Sequence, residues 1–258
     1  MNTIHPTAIV SPKAKLGDNI TVQPHAIIED DVEIGDDSII GPFAVLYNGS
    51  RIGKRVKIMQ SASVANVPQD LRFGDETTYF YVEDGTTIRE FVTLHRGTAD
   101  TGFSRVGKNC LLMAYSHVAH DTTVGDNCIL ANGVQLAGHV TIEDYVIIGG
   151  LTPVHQYCKV GQHSMIGGGF RIVVDVPPYV LAGSEPLRYS GLNIIGLRRR
   201  GFSNNDIMAL KSAYTILYQS GLNYTPAKEK IAAELGDNPY VKTVLEFLNK
   251  STRGIIKR

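Results

Sequence analysis

The 258 residues contain no tryptophan and only three cysteines. So sparse and odd a set excludes a disulfide framework and fits a reducing compartment. Long hydrophobic runs are missing as well. Nothing approaches the roughly 20 apolar residues of a membrane span, and residues 1–20 show no basic stretch leading into an apolar one, so no secretory leader is read. Neither sign of charge is in excess: 25 Lys and Arg stand against 25 Asp and Glu. That balance gives nucleic acid no electrostatic hold as a main partner. The absences together describe a cytoplasmic chain.

What is present is a phase. Stepping six residues at a time from Ile4 to Ile172 gives 29 positions, of which 26 are Ile, Leu or Val. An unpatterned chain with 66 such residues in 258 would place about seven there. The exceptions are Asp70, Glu76 and Asp100. A helix repeats near 3.6 residues and a simple strand near 2, so a period of six fits neither. It fits short strands joined by a sharp bend, each bend turning one aliphatic side chain inward. Glycine often follows that residue, as at Gly17, Gly35, Gly53, Gly107 and Gly125, where a tightly turning chain is crowded. The fifth place of the hexad is small or β-branched (Ala26, Ala44, Thr122, Thr152), and all three cysteines, Cys110, Cys128 and Cys158, fall on it as small core residues. Three hexads make an 18-residue triangular coil, and stacked coils make a parallel β-helix.

The coils are expected over residues 1–180, with an excursion near 65–81 that skips Asp70 and Glu76 and a smaller interruption at Gly97–Arg105. Pro177-Pro178 ends the hexads by removing backbone donors. Residues 181–258 read as a connecting segment and a small helical unit seated on the end of the prism. Ser203 is an N-cap ahead of Ile207, Leu210, Tyr214 and Leu217 at helical spacing. Pro226–Leu235 and Pro239–Asn249 read as two more helices, and Arg253–Arg258 as a basic, loose tail. Flat outer β faces favour closed rotational assembly.

Four of the eight histidines lie between 117 and 155. At 18 residues per coil, His120, Gly138 and Gln156 stack, with His139 and His155 beside them and Asp121 next to His120. A glycine over a histidine sets a backbone N–H beside a potential base, which is how an oxyanion site is made. Ala114, Asn132, Gly150 and Gly168 form a second column, where successive glycines leave a groove.

The segments His117-Val118-Ala119-His120-Asp121, Leu136-Ala137-Gly138-His139-Val140 and Val154-His155-Gln156 closely resemble the UDP-N-acetylglucosamine O-acyltransferase family, whose reaction opens lipid A synthesis. Leu94-His95-Arg96-Gly97-Thr98, Asp175-Val176-Pro177-Pro178-Tyr179, Arg199-Arg200-Gly201-Phe202-Ser203 and Ser251-Thr252-Arg253-Gly254 match it too, so the likeness covers nearly the whole chain. It implies a left-handed β-helix, a homotrimer with its site between subunits, acyl carrier protein and UDP-N-acetylglucosamine as partners, and no cofactor or metal. It implies His120 as general base, Asp121 as its support and the Gly138 N–H as oxyanion donor. Asp70, Arg72, His117, His139, His155 and Gln156 would meet the sugar and phosphate, and Asn193, Arg199 and Arg200 the nucleotide side. Asn132 and Gly168 would line the acyl groove, open at Gly168 to a long chain. Two positions depart from the family pattern: Arg72 replaces a lysine, and Ile195 a glutamate.

Three other readings compete. A related N-acyltransferase acting on UDP-3-O-acylglucosamine carries an additional domain before its coils, whereas the hexads here begin at Ile4. A γ-type carbonic anhydrase would use three histidines on zinc, and bound zinc would mark it. A non-catalytic trimeric scaffold would be indifferent to loss of His120.

Overall fold

In the computed structural model, which describes residues 1–74 and 76–258, the chain winds as a left-handed parallel β-helix capped by helices. Asp75, inside the expected excursion, lies outside the described residues. Short parallel strands form three sheets, the faces of a triangular prism, beginning at Thr3–Ile4, Ile9–Val10 and Lys15–Leu16. Aliphatic residues of the six-residue phase point inward: Ile40, Leu46, Ile58, Val64, Leu112 and Leu130 are all wholly buried. Each such side chain contributes about 2 kcal/mol when taken from water. The fifth-place residues Ala26, Ala44, Cys128 and Cys158 are buried with them, and the cysteines are free thiols.

Register exposes where the coil length changes. Ile40 pairs with Ile58, 18 residues on, but Ile58 pairs with Ile88, 30 on, and Ile88 with Leu112, 24 on. Twelve and then six residues are therefore added in successive coils. Both additions leave the edge between the second and third faces, the first between strands Ser63–Asn66 and Tyr79–Val82, the second between Thr93–His95 and Phe103–Val106. All three breaks in the aliphatic phase sit on them. The first excursion is narrower than expected, because its flanking strands run on to Asn66 and begin again at Tyr79.

The glycines after the aliphatic residue allow coils to touch: a Cβ on Gly35 would lie 2.7 Å from the carbonyl carbon of Gly53. The bends themselves are left-handed and mostly not glycine. Nineteen other residues have positive φ, among them Asp121 at 57° and His139 at 60°.

The last coil passes into an antiparallel pair, Val180–Gly183 with Arg188–Leu192. Four helices follow: α1 (Ile194–Arg199), α2 (Asn204–Gln219), α3 (Tyr224–Leu235) and α4 (Pro239–Lys250). Ser203 caps α2 in a full capping box with Asp206, and Pro239 opens α4. Leu197, Leu210, Tyr214 and Val244 join the same buried cluster as the prism interior, and the Tyr214 hydroxyl donates to Pro178 O at 2.6 Å. The tail corrects the expectation of a loose end. Ile255 bridges Asp175, Lys257 bridges Arg188, and Ile256 is 1% exposed. An aliphatic side chain at every other residue lets this basic segment dock.

Candidate active site

Coil stacking places the histidine column where the 18-residue spacing sets it. His139 N donates to His120 O at 3.1 Å and Tyr157 N to Gly138 O at 3.3 Å. A Cβ built on Gly138 would stand 2.6 Å from His120 Cε1 and 2.8 Å from Nε2, so only glycine lets the imidazole lie against this backbone. Ala137 N and His139 N both bond to neighbouring coils, whereas no hydrogen bond among the described residues engages Gly138 N–H. The place two residues past the aliphatic one has this property by geometry. Proline, which has no N–H, occupies it at Pro6, Pro12, Pro24 and Pro42.

His120 and Asp121 are adjacent in sequence, and in extended chain their side chains would diverge. The left-handed conformation at Asp121 turns both to the edge. His120 Nδ1 lies 2.7 Å from Asp121 Oδ2, with the Asp121 side chain fully buried and that of His120 12% exposed. An ionised carboxylate only accepts, so Nδ1 holds the proton and Nε2 offers its lone pair on the Gly138 side. Burial alone would push the Asp121 carboxyl up. Hydrogen bonds from Thr101, His120 and Thr98 outweigh that and hold it below the usual carboxylate range.

The excursions roof this edge. Asp70 and Arg72 form an ion pair at 2.8 Å and share a small pocket of about 110 Å³ with Glu76, Thr98 and Asp100. Hydrogen bonds from the Arg72 side chain and backbone lower the Asp70 carboxyl to about 2. His139 stands edge-on to His120, with ring centroids 5.3 Å apart, and lies flat on Tyr157 at 4.5 Å. His155 and Gln156 occupy the third coil but are exposed, and His155 Nδ1 meets only Gln156 O, at 3.2 Å. His117 points out of the second face, 2.7 Å from the Thr93 hydroxyl. Its ring meets that of His95 edge-on at 4.7 Å. Burial, reinforced by His117 and His120, pushes the His95 imidazole down to about 4.

The remaining candidates lie elsewhere on the chain. Asn132 and Gly168 sit on the edge between the first and second faces, where a Cβ on Gly168 would be 3.0 Å from Gly150 O and one on Gly150 3.0 Å from Asn132 O. Asn193 caps α1 and donates to His163 O at 3.0 Å. Arg199 and Ile195 border an apolar cavity of about 530 Å³ over Ile147, Met165 and Leu181 of the first face. Arg200 is turned toward the prism, its Nη2 donating to Tyr145 O at 3.1 Å. One protomer thus gathers Asp70, Arg72, His120, Asp121, Gly138 and His139 at a single edge, and leaves the groove column and the α1 residues apart from it. His95, Thr98, Thr101 and Tyr157 are additions. Counting by 18 misses the first three because their coils are lengthened, and Tyr157 because its left-handed bend brings it under His139.

Among the described residues, His120, Asp121 and His139 are the one His, Cys, Asp and Glu group whose ligand atoms lie within 4.8 Å of one another. That trio offers two imidazoles where the zinc reading needs three. No helix among the described residues is long and apolar enough to cross a membrane.

Comparison with known proteins points one way. The family model for UDP N-acetylglucosamine O-acyltransferase, domain 2, matches residues 175–256. The bacterial transferase hexapeptide model matches residues 31–66 and 103–138. An acyl-[acyl-carrier-protein]–UDP-N-acetylglucosamine O-acyltransferase of Burkholderia lata is 45% identical over the whole of both chains. The protein of that name from Thiobacillus denitrificans is 44% identical, again over both full lengths. The crystal structure of a UDP-N-acetylglucosamine acyltransferase from Bacteroides fragilis superposes with a TM-score of 0.97 at 45% identity, covering 99% of this chain and 100% of that one.

Proposed function

The chain belongs to the UDP-N-acetylglucosamine O-acyltransferase family and is an acyltransferase, and from that premise we propose that it moves an (R)-3-hydroxyacyl chain from acyl carrier protein to the 3-hydroxyl of UDP-N-acetylglucosamine, the opening step of lipid A synthesis. The observation that carries the mechanism is an unengaged Gly138 N–H beside the His120 imidazole. His120 Nε2 takes the proton of the sugar 3-hydroxyl as that oxygen attacks the thioester carbonyl. Asp121 supports the imidazolium. The Gly138 N–H receives the carbonyl oxygen as it gains negative charge. Collapse of the tetrahedral intermediate breaks the carbon–sulfur bond, and the imidazolium returns its proton to the departing thiolate.

Asp70 and Arg72 contact the sugar and its acetyl group as a pair. His117, His139, His155 and Gln156 shape the sugar and phosphate pocket. Asn193, Arg199 and Arg200 serve the nucleotide, with Ile195 supplying an apolar contact where a glutamate is usual. Asn132 and Gly168 line the acyl groove, which with glycine at 168 accepts a long chain, about 14 carbons or more. Their edge is not the His120 edge, so a neighbouring copy in a homotrimer supplies the groove.

The test is to incubate the protein with UDP-N-acetylglucosamine and a ladder of 3-hydroxyacyl carrier proteins and weigh the products. His120→Ala should lose at least about two orders of magnitude in turnover with the fold intact. Near-normal transfer by that variant removes His120 from the mechanism.

A further inference from the structure

Five polar contacts converge on the buried Asp121 carboxylate, and three of them come from the second excursion. Thr98 N donates to Oδ1 at 2.9 Å and the Thr98 hydroxyl to Oδ2 at 2.8 Å. The Thr101 hydroxyl donates to Oδ1 in a short hydrogen bond. His120 Nδ1 is bonded to Oδ2, and His139 Nε2 lies 3.7 Å from it. The added segment is itself braced. Thr78 Oγ1 donates to Gly97 O at 2.6 Å, Ala99 N to Glu76 Oε1 at 3.1 Å, and Gly102 N to Thr98 O at 2.8 Å. An unbroken coil would need none of this, because its corners are closed by coil-to-coil bonds. The six extra residues bring two hydroxyls and an amide to one carboxylate.

We propose that Thr101 and Thr98 are positioning residues for the His120–Asp121 pair, and that the second excursion acts as a clamp fixing the carboxylate against the imidazole. The proposal rests on the reading of His120 as base. With both oxygens held, Asp121 keeps one rotamer, and the His120 ring is fixed with Nε2 toward Gly138. Without the Thr101 bond, the carboxylate regains freedom inside a site whose geometry sets the rate. Neither threonine touches substrate in this reading, so the loss appears in turnover and not in binding.

The experiment compares Thr101→Val, Thr101→Ser, Thr98→Val and His120→Ala in acyl transfer from 3-hydroxyacyl carrier protein to UDP-N-acetylglucosamine, with circular dichroism confirming the fold. Thr101→Val is expected to lower kcat about tenfold with KM for both substrates unchanged. Thr101→Ser, which keeps the hydroxyl, should stay within about twofold of the parent. In an Asp121→Asn background, Thr101→Val should add nothing, since the clamp acts only through that side chain. Parent-like kcat in both valine variants, a loss confined to KM, or an undiminished loss in the Asp121→Asn background overturns the proposal. His120→Ala separates the two failures. If it keeps parent turnover, the base assignment fails; if it is inactive while the valine variants are normal, only the clamp fails.

Discussion

Gly138→Ala tests the site with one methyl group. The added carbon would stand 2.6 Å from His120 Cε1, against an ordinary carbon–carbon contact of about 3.5–4.0 Å. The imidazole must therefore move by about 1 Å. Overpacking of this kind costs about 1–3 kcal/mol where neighbours cannot yield. The His120 side chain retains 12% exposure and has a path outward, so the cost falls on geometry more than on folding. A 1 Å misplacement of a catalytic group costs about 100-fold in rate, and kcat of Gly138→Ala is expected to fall by that factor. Thermal melting should drop by less than about 5 °C. Steady-state turnover with mass detection of the acylated nucleotide sugar, alongside a melt, gives both numbers. Parent turnover in Gly138→Ala refutes the apposition of base and backbone amide. A second arm isolates the clash: in a His120→Ala background the alanine at 138 meets no ring, so a further stability loss there refutes the stated contact.

Acid should unfold the protein in a defined window. Burial lowers the imidazoles of His95 and His163 to about 4 from a model value of 6.5, with the charge of Arg200 adding to the effect on His163. The unfolded chain then takes protons first as pH falls, so stability is intact above about pH 6.5 and declines toward pH 4, by about 2 kcal/mol for each group. Urea midpoints at pH 7 and pH 5 should differ accordingly, and His163→Phe should narrow the difference; equal midpoints would contradict the burial argument. Gly168→Met should move acyl preference toward shorter chains, read from product masses on the acyl carrier protein ladder. An unchanged profile would detach Gly168 from the groove.

The prism was legible because its signal is redundant. One aliphatic residue every six positions, from Ile4 to Ile172, leaves little room for another architecture. The His120–Gly138 contact was legible for the same reason, since both lie in coils of 18 residues. What failed to show traces to coils of other lengths and to local backbone shape. His95, Thr98 and Thr101 reach the site across a 24-residue coil, and no fixed period finds them. The left-handed bends fall on Asp121, His139 and Tyr157, residue types that do not announce positive φ as glycine does. Helix α1 was missed because it is six residues long and opens with two isoleucines, which read as more strand. The tail was misread from its charge, while Ile256 decides its docking.

A solenoid of hexads generates one unengaged backbone N–H at the second place past each aliphatic residue. Wherever that place has no use for it, proline can stand there, as it does four times in the first three coils. Oxyanion stabilisation therefore needs no special loop in this fold. It needs a corner where glycine leaves the amide unshielded, and a base on the coil before it. Gly138 above His120 meets both conditions. The neighbouring corners in the same column do not, since His120 and Gln156 each screen their own amide with a side chain. Turning a corner into a catalytic site then depends on fixing the base, and the edge carrying His120 is the one from which both excursions leave. The added chain length falls where the regular coil has an amide to offer but nothing to hold an imidazole in place.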